Sequence, residues 1–284
     1  MLLMKNEINI FAYNVRNHPI KKTGDLLRWL NAQELARFER MKKRSDKKLF
    51  LCGRVLAKSV IGELLGIKPE SVKISVDKSG RPFLKGRPAE FDFNLSHGGD
   101  WVVLMIGRGP VGVDVEKISP IETGVVSGFS VLSDEECEYL AEKDWREFYR
   151  VWTLKEAFFK TGGVRTLADA RICFKKNKIA DLKGRGGKKW NFSFFNLDKD
   201  HCLAACWAEI ESNARIKHLF SPASIILGAS RPEIDPTASP RRKNVITSCS
   251  RPRLNLYHLP ISSTLWPISQ KTRPPIPLKT RPEH

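Results

Sequence analysis

A chain of 284 residues can bury a substantial core in one or two domains. Its formal charge of +18 points to an acidic partner or a phosphorylated ligand. No stretch approaches the ~20 apolar residues of a membrane span, which argues against a membrane-spanning role. The charge is uneven: from Ser212 onward there are 12 Lys and Arg against 3 Asp and Glu, so the first 211 residues are only moderately basic. The opening MLLMKNEINIFAYNV lacks the long apolar run and small-residue cleavage site of a signal peptide. Cysteines 52, 137, 173, 202, 206 and 249 form no C-x-x-C pair and no metal-ligand spacing. They read as free thiols of a reducing, cytoplasmic compartment.

In chain order, Glu7 to Val15 alternates as a first strand. Thr23 caps a helix whose Leu26, Leu27, Leu30, Leu35, Phe38 and Met41 recur near helical period. A second helix follows Ser45 and stops at Gly66. Both helices carry basic residues, among them Arg37, Arg40, Lys42, Lys43, Arg44 and Arg54. Such a run is either a solvated face or a landing strip for phosphate or an acidic protein. Val72 to Val76 reads as a short strand, followed by the turn Asp77-Lys78-Ser79-Gly80. Segments 91–95, 101–106 and 111–117 read as an antiparallel meander of short hairpins, turning at Ser96-His97-Gly98-Gly99-Asp100 and Gly107-Arg108-Gly109-Pro110.

Beyond the meander, Ser133-Asp134-Glu135-Glu136 opens a helix with acids at the positive end of its dipole. The best helix of the chain runs from about Asp144 to Lys160, and strands return at 170–174, 189–195 and 201–210. From Ser212 onward lie 11 of the 17 prolines, with Ser, Thr and Arg between them. That composition is expected to be disordered. Helices flanking a strand-rich middle give an α/β (α+β) fold.

The chemistry concentrates in a few places. In Val111–Lys117, Asp114 and Glu116 stand two apart on a strand, so their carboxylates share a face while Val113 and Val115 pack behind. Such a pair is either a wet acidic edge or the seat of a hard divalent cation such as Mg²⁺. Glu156 and Lys160 are i and i+4 on the long helix, either a simple ion pair or part of a site. His97 follows a strand in a Ser-His-Gly-Gly turn that lets backbone approach a ligand.

Taken together, Arg81-Pro82-Phe83, Phe93-Asn94-Leu95-Ser96-His97, Gly112-Val113-Asp114-Val115-Glu116-Lys117 and Trp152-Thr153-Leu154-Lys155-Glu156-Ala157-Phe158-Phe159-Lys160 form one series. In order and spacing it resembles the 4′-phosphopantetheinyl transferases, the larger pseudo-dimeric type that activates surfactin-synthetase-like enzymes. The resemblance spans residues 5 to 211.

It implies two similar, pseudo-twofold-related α/β halves, about 1–107 and 108–211, the second carrying the metal site, with 212–284 a basic tail outside the fold. It implies transfer of the phosphopantetheine arm of coenzyme A to a serine of an apo acyl or peptidyl carrier protein, releasing 3′,5′-ADP. Asp114, Glu116 and Glu156 match the family's metal positions for Mg²⁺. By the same resemblance Glu156, or a metal-bound water near it, would take the serine proton, and Lys160 matches the lysine that contacts the diphosphate. Ser96 and His97 match the pair that binds coenzyme A phosphates, Arg81 stands where the family has Lys or Arg near the coenzyme, and the resemblance implies that Arg54 meets its 3′-phosphate. Phe129 is either part of the carrier-docking surface or a plain core phenylalanine. The type works as a monomer, with no specific nucleic acid and no membrane among its partners. The alternative is a non-catalytic relative that binds coenzyme A or a carrier protein. Which carrier and pathway are served, whether acyl-coenzyme A is tolerated, and what role the tail has are not written in the residues.

Overall fold

The computed structural model describes residues 8–17, 23–86, 91–120, 130–184, 187–209 and 254–258. Strand β1 (Ile8–Asn14) is buried along almost its whole length, and so is β5 (Trp101–Arg108), which lies antiparallel to it. The period of two sorts their side chains between two cores. Phe11, Tyr13, Val102, Leu104 and Ile106 face a helical layer, whereas Ile8, Ile10, Ala12, Val103 and Met105 face the other way. Strand β4 (Phe91–Gly98) completes this sheet beside β5. On its far edge, β11 (Leu254–His258) runs parallel to β1, giving the order β11-β1-β5-β4. These five residues belong to the stretch whose composition reads as disordered; the rest of that stretch lies outside the described residues.

The helical layer departs from expectation in one respect. The single helix expected from Thr23 to Met41 is two, α1 (Thr23–Leu27) and α2 (Ala32–Arg40). Asn31 restarts the helix through a capping box: its Oδ1 accepts the Glu34 amide at 2.9 Å and its own amide donates to Glu34 Oε2 at 3.0 Å. Helix α3 (Arg44–Leu65) is buried on every side from Phe50 to Gly62 and ends at Gly66 as expected. A hairpin of β2 (Ile74–Val76) and β3 (Pro82–Leu84) follows.

The second sheet is β6 (Val111–Lys117), β10 (His201–Ala208) and β9 (Trp190–Asp198), all antiparallel. The expected meander therefore breaks at Gly107–Pro110: β5 pairs with β1 and β4, and β6 pairs with β10. Helices α4 (Asp134–Leu140) and α5 (Trp145–Lys160) open on Ser133 and Asp144 caps. Phe148, Val151, Leu154, Ala157 and Phe158 bury one stripe of α5 in a core shared with β10. A small hairpin, β7 (Arg171–Lys175) with β8 (Lys178–Lys183), flanks it. The third apolar cluster is common to both sheets, with Ile8, Ile10 and Val103 from one and Val113, Val115, Leu203 and Trp207 from the other.

The two sheets also meet edge to edge, through side chains. Asp92, Asn94 and Ser96 alternate on β4 and accept the backbone N–H groups of Val111, Val113 and Val115 on β6, at 3.1, 3.0 and 3.4 Å. Both strands run the same way along this ladder, which satisfies the β6 amides that β10 does not reach.

Candidate active site

The last rung of that ladder opens the site. Ser96 Oγ donates to Asp114 Oδ1 at 2.7 Å and accepts from Lys160 Nζ at 3.1 Å. Lys160 Nζ also donates to Asp114 Oδ1 in a close ion pair. Residues from β4, β6 and the last turn of α5 thus converge on one buried carboxylate. Asp114 is 4 % exposed, and its Oδ2 is enclosed without a hydrogen-bond donor. Such an oxygen is costly to bury unsatisfied.

Close approach of backbones makes this convergence possible. A Cβ on Gly112 would lie 2.0 Å from the Ala157 carbonyl and 2.9 Å from the Thr161 amide, so α5 can rest on β6 only because residue 112 has no side chain. Likewise a Cβ on Gly98 would lie 2.3 Å from the Val115 carbonyl, so the turn after Ser96 and His97 sits directly against the Asp114–Glu116 strand.

Electrostatics ties the three acids together. Burial pulls the Lys160 ammonium down, but Asp114, Glu156 and Glu116 outweigh it and raise its pKa above the usual lysine value. All three sequence-predicted carboxylates therefore act on one ammonium, which stays protonated at neutral pH. Glu116 and Glu156 are half-buried. Among the described residues no three His, Cys, Asp or Glu side chains form a ready-made metal cage. The donor set nonetheless fits a hard cation. Mg²⁺ is held by one or two carboxylates, with waters and substrate phosphates completing its shell, rather than by a closed protein cage. The unpartnered Asp114 Oδ2 is the anchor such an ion needs.

The other predicted residues fall in different places. His97 is half-buried at the end of β4, next to Ser96. Ser96, predicted to meet phosphate, has its hydroxyl engaged with Asp114, Lys160 and the Val115 amide. Arg81 has its guanidinium committed to protein: a two-pronged pair with Asp92 at 3.0 and 2.6 Å, and donations to the carbonyls of Lys160 at 2.8 Å and Val111 at 3.0 Å. Arg54 is 2 % exposed, inside the helical core. Its Nε lies 2.7 Å from Glu34 Oε1, at an angle too poor for a hydrogen bond. Burial pulls Arg54 down to about 10, Glu34 opposes this, and Arg37 adds to the pull. Phe129 lies outside the described residues.

Residues near Arg54 in sequence are more open. Arg37, Arg40, Met41, Lys42, Lys43 and Asp46 line a cavity of about 600 Å³ at the α2–α3 junction. Burial, and to a lesser degree the neighbouring Arg40, lowers the pKa of Arg37. The sequence marked this run as basic but not that it is concave. Lys155, about 100° around α5 from Glu156, is fully buried. Its Nζ donates to both Glu136 oxygens at 2.8 and 2.7 Å and to the Ala170 carbonyl at 2.6 Å. It anchors the helix that presents Glu156 and Lys160.

Comparison with known proteins identifies the family. Residues 18–107 match the N-terminal domain model of 4′-phosphopantetheinyl transferase, and residues 110–206 match the 4′-phosphopantetheinyl transferase superfamily model. The chain is 34 % identical over 146 residues to 4′-phosphopantetheinyl transferase psf-1 of Bacillus pumilus, covering 50 % of this chain and 62 % of that one. It is 30 % identical over 198 residues to a phosphopantetheinyl transferase of Thraustochytrium, covering 62 % and 69 %. With 4′-phosphopantetheinyl transferase HetI of Nostoc it shares 28 % over 214 residues, covering 72 % and 89 %. The match spans less than two thirds of the length of the Bacillus relatives psf-1 and ffp. With both domain models matched in tandem and a relative 30 % identical covered over 69 % of its length, the chain belongs to the 4′-phosphopantetheinyl transferase superfamily.

Proposed function

We propose that this protein transfers the 4′-phosphopantetheine arm of coenzyme A to a serine of an apo carrier protein and releases 3′,5′-ADP. The observation that carries the reading is the buried Asp114, whose Oδ1 is held by Ser96 and Lys160 while Oδ2 has no donor. Asp114, Glu116 and Glu156 would hold Mg²⁺, which when bound supplies charge neutralisation of the diphosphate. Lys160 keeps its proton at Nζ and donates to a diphosphate oxygen, stabilising the charge that grows on the leaving group. Glu156 accepts the proton from the serine Oγ as that oxygen attacks. The new bond joins serine Oγ to the β-phosphorus, the phosphoanhydride bond to the α-phosphate oxygen breaks, and 3′,5′-ADP leaves with the electron pair.

His97, on the turn that Gly98 presses against β6, would orient a coenzyme A phosphate. The basic cavity of Arg37, Arg40, Lys42 and Lys43 has the charge to receive the rest of the nucleotide's phosphates, a role that suits these open side chains better than the enclosed Arg54. The two sheets with their helical layers would form the functional halves 1–107 and 108–211. Because one chain contains both, the protein is proposed to act as a cytoplasmic monomer, and its basic charge favours an acidic carrier.

The test is intact-mass spectrometry of apo carrier proteins incubated with the full chain, coenzyme A and Mg²⁺, beside an EDTA control. A metal-dependent gain of one phosphopantetheine arm is expected. No gain on fatty-acid, polyketide and peptide-synthetase carriers alike would overturn the proposal and favour a binding relative without transfer.

A further inference from the structure

We propose that Arg81 and Asp92 are positioning residues that lock the helix bearing Glu156 and Lys160 onto the first sheet, with the Arg81 side chain acting on the protein and not on the coenzyme. The proposal rests on the transferase reading and adds residues that act through others.

The lock is built from the sequence upward. Asp77 Oδ1 accepts the amides of Ser79 at 2.8 Å and Arg81 at 2.9 Å together with the Ser79 hydroxyl at 2.6 Å, which fixes the turn between β2 and β3. From that turn the guanidinium reaches across to the second sheet and its helix. One face of the fork takes both oxygens of Asp92, and two further N–H groups take the carbonyls of Lys160 and Val111. Asp92 Oδ2 in turn accepts the Val111 amide. Both polar groups of Val111, where β6 begins, are thus held by this one pair.

The carbonyl of Lys160 has a particular meaning. It belongs to the last residue of α5 and is one of the terminal carbonyls that a helix leaves unsatisfied. A cation there caps the helix and complements the negative end of its dipole. The cap comes from a segment 79 residues away in sequence, across the joint between the sheets. The residue whose carbonyl is held is the residue whose ammonium pairs with Asp114. A shift of this end of α5 moves Nζ directly, and with it Glu156 one turn earlier. Asp92 is also the first rung of the ladder whose last rung, Ser96, contacts Lys160 and Asp114. One pair therefore sets both ends of the frame around the site.

The test compares wild type, Arg81→Ala, Arg81→Lys, Asp92→Asn and the Arg81→Ala/Asp92→Asn double variant as full chains. Positioning predicts that Arg81→Ala lowers kcat by about 10- to 10²-fold while KM for coenzyme A stays within about threefold. Arg81→Lys keeps the charge but loses the fork and recovers less than about a tenth of kcat. The double variant is no worse than Arg81→Ala, since both changes open the same lock. A rise of about tenfold or more in KM for coenzyme A with kcat retained, or full rescue by lysine, would show a direct coenzyme contact and overturn the inference.

Amide hydrogen exchange without any substrate reads the lock independently of transfer. Faster exchange at Val111 and in the last turn of α5 supports it in Asp92→Asn and in whichever Arg81 variant folds; unchanged exchange overturns it. A wild type that loads no carrier sinks the transferase reading, and the exchange data then still decide the lock.

Discussion

Gly112→Ala is the sharpest perturbation this architecture offers, because it adds one methyl group where the site-bearing helix touches the carboxylate strand. The added carbon would lie 2.0 Å from the Ala157 carbonyl oxygen, 2.9 Å from the Thr161 amide and 3.0 Å from Thr161 Cγ2. A relaxed carbon–oxygen contact is about 3.3 Å, so α5 must retreat by roughly 1 Å or more. The first two groups it meets follow Glu156 and Lys160 by one residue each, so the retreat falls on the two site residues themselves. Overpacking of this kind costs about 1–3 kcal/mol, and the fold survives with a melting temperature lower by roughly 2–10 °C. Activity suffers more: a displacement near 1 Å costs on the order of 10²-fold in turnover. The assay is carrier loading at saturating Mg²⁺, beside thermal melts of the same preparations. A variant that keeps half of wild-type kcat and melts at the wild-type temperature would show that Glu156 and Lys160 do not depend on this contact.

Three further outcomes are expected. Glu136→Gln strands the fully buried Lys155, whose pKa burial already lowers against the pull of Glu136; breaking such a pair costs about 3–5 kcal/mol, and a loss below about 1 kcal/mol in urea unfolding would contradict it. Asp114→Asn should lower loading at least about 10²-fold and raise the Mg²⁺ concentration that half-saturates residual activity, whereas an unchanged Mg²⁺ requirement would remove Asp114 from the metal site. The third outcome concerns Asp198. Burial pushes its carboxyl up, but donors on Trp101 and His201 and the Asp200 amide outweigh this and hold it below the ordinary 3.8. Its stabilisation is complete above that value and fades as pH falls through the lower folded one. The melting gap between wild type and Asp198→Asn should therefore hold from about pH 5 to 4 and shrink below; a gap that widens in acid would reverse the sign.

Much of this was legible in the residues. The alternation of Asp114 and Glu116 with Val113 and Val115, the stripe of α5 and the Ser133 and Asp144 caps are local patterns, and local patterns survive folding. Two kinds of information were not local. The partner of β6 is β10, some 90 residues downstream, and the short Gly107–Pro110 connection imitates a hairpin that the sheets do not make. Arginine roles were equally opaque, since Arg81 and Arg54 read as anion binders until their acidic partners Asp92 and Glu34 arrive through the fold. Asn31 was a missed signal in plain view: Asn with Glu three residues on is a helix start inside what periodicity alone reads as one helix.

The side-chain ladder between β4 and β6 has a bearing on solubility. A strand whose amides point at nothing is a template for strands of other molecules. On β6 the outward amides of Val111, Val113 and Val115 are already occupied by Asp92, Asn94 and Ser96, so the valine-rich edge is closed by the side chains of β4 and not by its backbone. The seal is short and polar, made of three single bonds that can each be lost by one substitution. Asn94→Leu would strand the buried Val113 amide in the middle of the joint, a cost of about 1–3 kcal/mol, and its consequence would be seen first as the two sheets parting at lower denaturant, with the aggregation-prone edge exposed only then.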